Sequence, residues 1–183
     1  MKTQENQAQL DRNDRHIVTN QENELLCSII SPELHSFVEE HTALSQLMDK
    51  VRCGYDEEIY REALHEIETE LSQHFYYEET FILPRLSRYF ATNEVGPSMK
   101  LLQDHDTIRK HFIEAKDLFS SRNTNDPGAD LVPKMNLLAY LLKKHIEKED
   151  HYLFPMVSLI LNQDEKEEIA AEVKAAYGRR RTE

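Results

Sequence analysis

The chain has 183 residues, enough for one domain with a modest tail, and its 34 acidic against 22 basic residues give a formal net charge of −12. So acidic a chain repels nucleic acid in bulk, and no apolar run approaches the roughly 20 residues that a membrane-spanning helix needs. Only 4 glycines, no tryptophan and 31% charged residues fit a soluble helical protein better than a sheet.

The first 30 residues read as a polar leader, largely disordered and without the apolar stretch of a secretory signal. Within it, Leu25 to Ile30 is apolar enough to pack on the main domain. Ser31-Pro32-Glu33 reads as a helix start, with Ser as the cap and Pro in the first helical position. Helix A then carries Leu34, Phe37, His41, Leu44, Met48 and Val51 at steps of three and four, and Gly54 sits where a C-terminal cap belongs. Helix B carries Tyr60, Leu64, Ile67, Leu71, His74, Glu78 and Phe81, and Pro84 stops or kinks it. Gly96-Pro97-Ser98 marks a break. Helix C comes next with Leu101, His105, Ile108, Phe112, Ala115 and Phe119. The segment from Ser120 to Asp130 has loop composition. Helix D carries Leu131, Met135, Leu138, Leu142, His145, Glu149, Tyr152 and Met156, with Pro155 near its end. A weaker helix spans about Asp164 to Tyr177, and Arg179, Arg180 and Arg181 form a basic tail.

The expected domain therefore covers residues 31–160, flanked by the leader (1–30) and a C-terminal helix and tail (161–183). Four amphipathic helices with short connections pack most simply as an all-α, antiparallel up-down-up-down four-helix bundle, one seam of each facing the axis.

Each seam carries one histidine where an apolar residue belongs: His41, His74, His105 and His145. Two seams also carry a glutamate, Glu78 and Glu149, each four residues after its histidine and on the same helical face. The two HxxxE units are copies. His74-Phe75-Tyr76-Tyr77-Glu78-Glu79 matches His145-Ile146-Glu147-Lys148-Glu149-Asp150, and in each a proline follows the histidine by ten residues. The pattern suggests an internal duplication, with helices A and B repeated as C and D.

Six polar groups converging in one core would cost several kcal/mol each if unpartnered, enough to unfold a marginal domain. Bound metal removes the objection by balancing the carboxylates and accepting the imidazole lone pairs. Nitrogen and carboxylate donors suit iron, manganese or zinc. The donor count favours two ions: two histidines on each, both glutamates shared, and one oxo or hydroxo bridge leave an octahedral ion one open position. His16, His35, His65, His111 and His151 fall off the seams and are expected to face solvent. Glu79 and Asp150 follow the seam glutamates and are suited to accept hydrogen bonds from ligating histidines. Tyr152 sits one turn beyond Glu149, either packed in the core or leaning over the site.

From about His35 to Ser158 the sequence resembles the hemerythrin-like (HHE cation-binding) family. The resemblance rests on Glu40-His41, the His74 to Glu79 unit, Gln103-Asp104-His105-Asp106 with Arg109, and the His145 to Pro155 unit. It implies a centre of two iron ions, with His41, His74, His105 and His145 as terminal ligands and Glu78 and Glu149 as bridging carboxylates. Oxygen-carrying members have a fifth histidine in an HxxxH on the third helix, where this chain has Arg109. Their second bridge is an aspartate five residues after the last histidine, and here Glu149 stands at four. The pattern is closer to the bacterial branch that includes iron–sulfur cluster repair proteins, although only about 30 residues precede the bundle, where those proteins usually carry a domain with a cysteine pair.

The expected function is a cytoplasmic di-iron protein that binds or senses dioxygen or nitric oxide, in stress defence or iron homeostasis, a binding protein more than a dedicated catalyst. The alternatives are an iron donor for damaged iron–sulfur clusters, a nitric oxide or peroxide reductase, and a structural bundle holding another metal or none. Expected partners are a small diatomic ligand and an iron–sulfur client or redox partner, with neither nucleic acid nor membrane. The two cysteines, Cys27 and Cys53, lack CxxC spacing and fit a reducing compartment.

Overall fold

A computed structural model describes residues 24–90, 97–122 and 128–180. Among these there is no strand. After a 3-10 turn at Pro32–Leu34, α1 runs over His35–Val51 and α2 over Glu57–Ser72. The second helix continues through α3 (His74–Tyr77), a π-helical turn (Glu78–Ile82) and α4 (Leu83–Ser87). Then come α5 (Pro97–Ser121), α6 (Gly128–Lys148), a second π-helical turn (Glu149–Leu153), α7 (Phe154–Ile160) and α8 (Gln163–Arg180).

Local chemistry sets several boundaries. Gly54, at φ +133°, takes the chain out of α1, a region of φ that favours glycine. Asp56 caps α2 by accepting from the backbone N–H of Glu58 and Ile59. Ser31 precedes the first turn as expected, but its hydroxyl accepts from Lys166 instead of capping.

Ion pairs fix the helix directions. Asp49 meets Lys143 while His41 meets Asp150, so α1 and α6 run antiparallel. Glu57 meets Arg122 while Glu79 meets His105, which reverses α5 against α2 and its continuation. Glu114 meets Lys134 while Asp104 meets Lys148, which reverses α6 against α5. The result is the expected four-helix bundle, with α6 closing against α1.

The apolar interior lies in two parts. One, around Leu44, Met48, Tyr60, Ile67, Ile108, Met135 and Leu138, fills the end where α1 turns into α2. The other, around Leu34, Phe37, Tyr77, Ile82, Phe154 and Val157, fills the opposite end and is covered by Ile169, Val173 and Ala176 of α8. Residues 24–29 are helical and bury Leu26, with Ile30 buried just after, so this last part of the expected leader is ordered against the bundle because its apolar side chains have a surface to cover. Residues 1–23, the Gly96 break, the middle of the Ser120 to Asp130 segment and Arg181 of the basic tail lie outside the described residues.

The proline of each repeat does not stop its helix. Pro84 and Pro155 lack an N–H, and in an α-helix their rings would strike the carbonyl four residues back. The chain widens by one residue instead: Leu83 N–H bonds to the Glu78 carbonyl and Phe154 N–H to the Glu149 carbonyl, five residues back. This shifts the inward face by one position. Ile82 and Leu153 are buried where Phe81 and Tyr152 were expected inward, and Tyr152 is 68% exposed. Tyr152 therefore neither packs in the core nor leans over the histidines.

Candidate metal centre

Between the two apolar regions lies one polar layer. His41 of α1, His74 of α3, His105 of α5 and His145 of α6 are each at most 1% exposed, and Glu78 and Glu149, which open the two π-helical turns, are fully buried. All six residues singled out in the sequence converge here. Two groups of ligand-type atoms result: Glu78, His105, His145 and Glu149 in one, and His41, Glu70 and His74 in the other.

The histidines meet in pairs. His41 Nε2 lies 3.0 Å from His74 Nε2, and His105 Nε2 lies 3.1 Å from His145 Nε2. Each glutamate divides its oxygens between the pairs. Glu149 Oε1 is 2.7 Å from His145 Nε2 and Oε2 is 3.2 Å from His41 Nε2. Glu78 Oε1 is 3.5 Å from His74 Nε2 and Oε2 is 3.3 Å from His105 Nε2. Despite these distances, no oxygen of Glu78 or Glu149 meets the geometry of a hydrogen bond to a described protein group. Buried carboxylates are ordinarily satisfied, so four such oxygens facing four imidazole nitrogens form a donor set that fits cations.

The outward nitrogens are held by a second layer of carboxylates. His41 Nδ1 donates to Asp150 Oδ1 at 2.7 Å, and His105 Nδ1 donates to Glu79 Oε1 at 2.6 Å. These contacts are equivalent under the internal duplication, and they are the role expected of Glu79 and Asp150. Arg109 also donates to Glu79, at 2.7 Å. His74 Nδ1 donates to Glu40 Oε2 at 3.0 Å, and Tyr177 of α8 donates to the other oxygen of Glu40. A carboxylate at these distances only accepts, so Nδ1 of His41, His74 and His105 carries a proton and each Nε2 is left to face inward. The duplication breaks at His145, whose Nδ1 has no hydrogen-bond partner among the described residues. Aromatic rings pack the imidazoles in place: Phe75 stacks on His105 at 3.7 Å, and Phe37 meets His74 edge-on at 4.8 Å.

The electrostatics favour positive charge in the layer. Burial works against the imidazolium of His41, yet the hydrogen bond to Asp150 and the adjacent Glu149 carboxylate raise its pKa to about 9. For His105, burial is again overcome, here by Glu149 and Glu78, and its pKa rises to about 10. His74 is also held well above the usual histidine range, with Glu70 and Glu78 outweighing burial. Conversely, burial would raise Glu149, but His145, His105 and His41 hold it well below the usual carboxylate range. Without a cation, protons supply the positive charge that the carboxylates require.

Two carboxylates were not singled out as ligand candidates. Glu70 is only 7% exposed, and its Oε1 has no hydrogen-bond partner among the described residues. Glu70 lies three residues after the buried Ile67 and four before His74, which puts it on the inward face of α2, while Leu71, assigned to the seam, is half-buried. That spacing of Glu70 was the available signal. Glu40 was noted only within Glu40-His41, and its contact with His74 crosses between helices. Of the off-seam histidines, His65 and His151 are exposed as expected. His35 is half-buried and donates to the Ile30 carbonyl, and His111 is half-buried between Glu114 and Lys134. His16 lies outside the described residues.

Asp150→Ala would leave the His41 ring without its acceptor. It is expected to weaken metal binding by about 10- to 100-fold, read by competition with a chromophoric chelator. An unchanged affinity would remove Asp150 from any part in the centre.

The fold and this layer together define a cation-binding helical bundle, its ligand-type side chains supplied by all four helices. The family model described as the hemerythrin HHE cation binding domain matches residues 33–157, and the chain belongs to that family. No curated protein matches the chain.

Proposed function

We propose that this chain binds two iron ions and that the loaded protein binds or senses a diatomic, dioxygen or nitric oxide, in stress defence or iron homeostasis. The observation that carries the reading is the division of oxygens: Glu78 and Glu149 each present one oxygen to the His41/His74 pair and the other to the His105/His145 pair. Two ions, each held by one histidine pair and sharing both carboxylates, would use all six of these side chains. When bound, iron would supply redox-active ions and a coordination position for a small ligand.

The chain's own residues do the rest. Asp150, Glu79 and Glu40 keep a proton on Nδ1 of three histidines, which orients each ring and makes Nε2 the better donor. Phe37, Phe75 and Phe154 pack on the imidazoles and keep bulk water from them. Arg109 pairs with Glu79 and adds no ligand, which favours sensing or defence over reversible oxygen carriage. A cytoplasmic setting is part of the proposal; no described helix is long and apolar enough to cross a membrane.

A second reading, iron donation to damaged iron–sulfur clusters, is favoured by a cavity of about 420 Å³ that reaches His74. The test of the first reading is metal content per chain after growth with added iron, with absorption spectra before and after dithionite. About two irons per chain and a near-ultraviolet band lost on reduction are expected. An absence of stoichiometric metal, with a melting temperature indifferent to chelation, would leave a structural bundle.

A further inference from the structure

The cavity beside His74 is acidic out of proportion to anything the six-residue layer requires. It is lined by Glu40, Glu62, Glu66 and Glu70, against Lys50 as its one lysine or arginine. We propose that this cavity is the route by which a divalent cation reaches the centre, with Glu70 the inner carboxylate that passes the ion from Glu62 and Glu66 to the His74 side. The proposal rests on the di-iron reading of the proposed function.

Three observations support it. First, Glu62, Glu66 and Glu70 recur every four residues along α2, and the next step of four is His74. The stripe runs inward, since Glu62 and Glu66 are exposed whereas Glu70 is buried. Second, Glu70 is a buried carboxylate without a hydrogen-bonding partner on Oε1, which lies 3.6 Å from His74 Nδ1, and that nitrogen already donates to Glu40. Glu40 and Glu70 thus share one imidazole, and a buried carboxylate with so little compensation is costly, so its presence calls for a further charge that visits it. Packing does not require it: in the second copy of the repeat, the positions matching Glu62, Glu66 and Glu70 hold Pro133, Leu137 and Leu141. Third, the cavity on the other side of the layer, about 480 Å³ beside His41 and Asp150, is charge-balanced. There Lys143 pairs with Asp49 and Lys144 with Glu147. Of the two cavities, the one at His74 attracts cations more strongly, and a cleft lined by one sign of charge speeds arrival of the opposite charge.

The test is the rate of iron uptake by the metal-free full chain, using ferrous ion alone under anaerobic conditions. The chains compared are wild type, the Glu62→Gln/Glu66→Gln double variant, Glu70→Gln, and Lys144→Ala at the other cavity as control. Both glutamate substitutions are expected to slow uptake by about tenfold or more, within the usual range of electrostatic steering. The double variant should reach the wild-type iron content and lose most of the wild-type sensitivity of the rate to salt. Lys144→Ala should load at the wild-type rate. Wild-type rates in both glutamate variants, or a slowing confined to Lys144→Ala, would overturn the route. A lower final iron content in Glu70→Gln would make Glu70 a permanent ligand and overturn its transfer role. If Glu70→Gln fails to fold, the exposed pair decides. Failure of wild type itself to take up iron would instead sink the di-iron reading.

Discussion

Glu149→Ala is expected to lower the iron content from two to at most one per chain. It reaches both histidine pairs: its oxygens lie 2.7 Å from His145, 3.2 Å from His41 and 3.7 Å from His105. Removing it takes an oxygen from each histidine pair and also withdraws the charge that offsets the imidazolium groups. Glu149→Gln separates these effects, since it keeps the volume and one oxygen but not the charge. It should bind less iron than wild type and more than the alanine variant. The measurement is iron and protein quantified on the same desalted sample, with circular dichroism to show that the helices persist. Two irons per chain in Glu149→Ala would end the bridging assignment.

The second large effect concerns the protein without metal. Stripping iron is expected to lower the melting temperature by about 8–16 °C. A ligand present at about 1,000 times its dissociation constant stabilises by about 4 kcal/mol, and in a chain of this size each kcal/mol moves the midpoint by about 2–4 °C. The pH dependence has a definite sign. His41 titrates at about 9 in the folded metal-free chain against an ordinary 6.5. A raised histidine stabilises fully below the ordinary value, and that stability is lost as pH rises through the folded one. His105, at about 10, acts in the same direction. The stripped protein should therefore lose stability from about pH 7 to pH 10. Metal binding meets less competition from protons over the same range, so the gap between loaded and stripped protein should widen. Thermal melts with and without chelator at pH 7 and pH 9 check this. A gap that narrows with rising pH would contradict the view that protons and metal occupy the same layer.

The sequence by itself determined the bundle and picked out six of the residues that meet in the central layer. Helical periodicity is a local property, so a histidine at an otherwise apolar step is visible without knowing what it faces. The repeat added a second copy of the same signal, and Glu79 and Asp150 were legible as hydrogen-bond acceptors from their place beside the seam glutamates. What lies across from each side chain was decided only by the tertiary structure. It set the division of the Glu78 and Glu149 oxygens between histidine pairs and the Glu40 to His74 contact. It also decided the fate of Tyr152. A fixed step of 3.6 residues carries Tyr152 inward, but the π-helical turn required by Pro155 adds a residue and rotates it to solvent. Such features depend on the relative rotation of neighbouring helices and on where a backbone turn widens, and the packing of the whole bundle settles both.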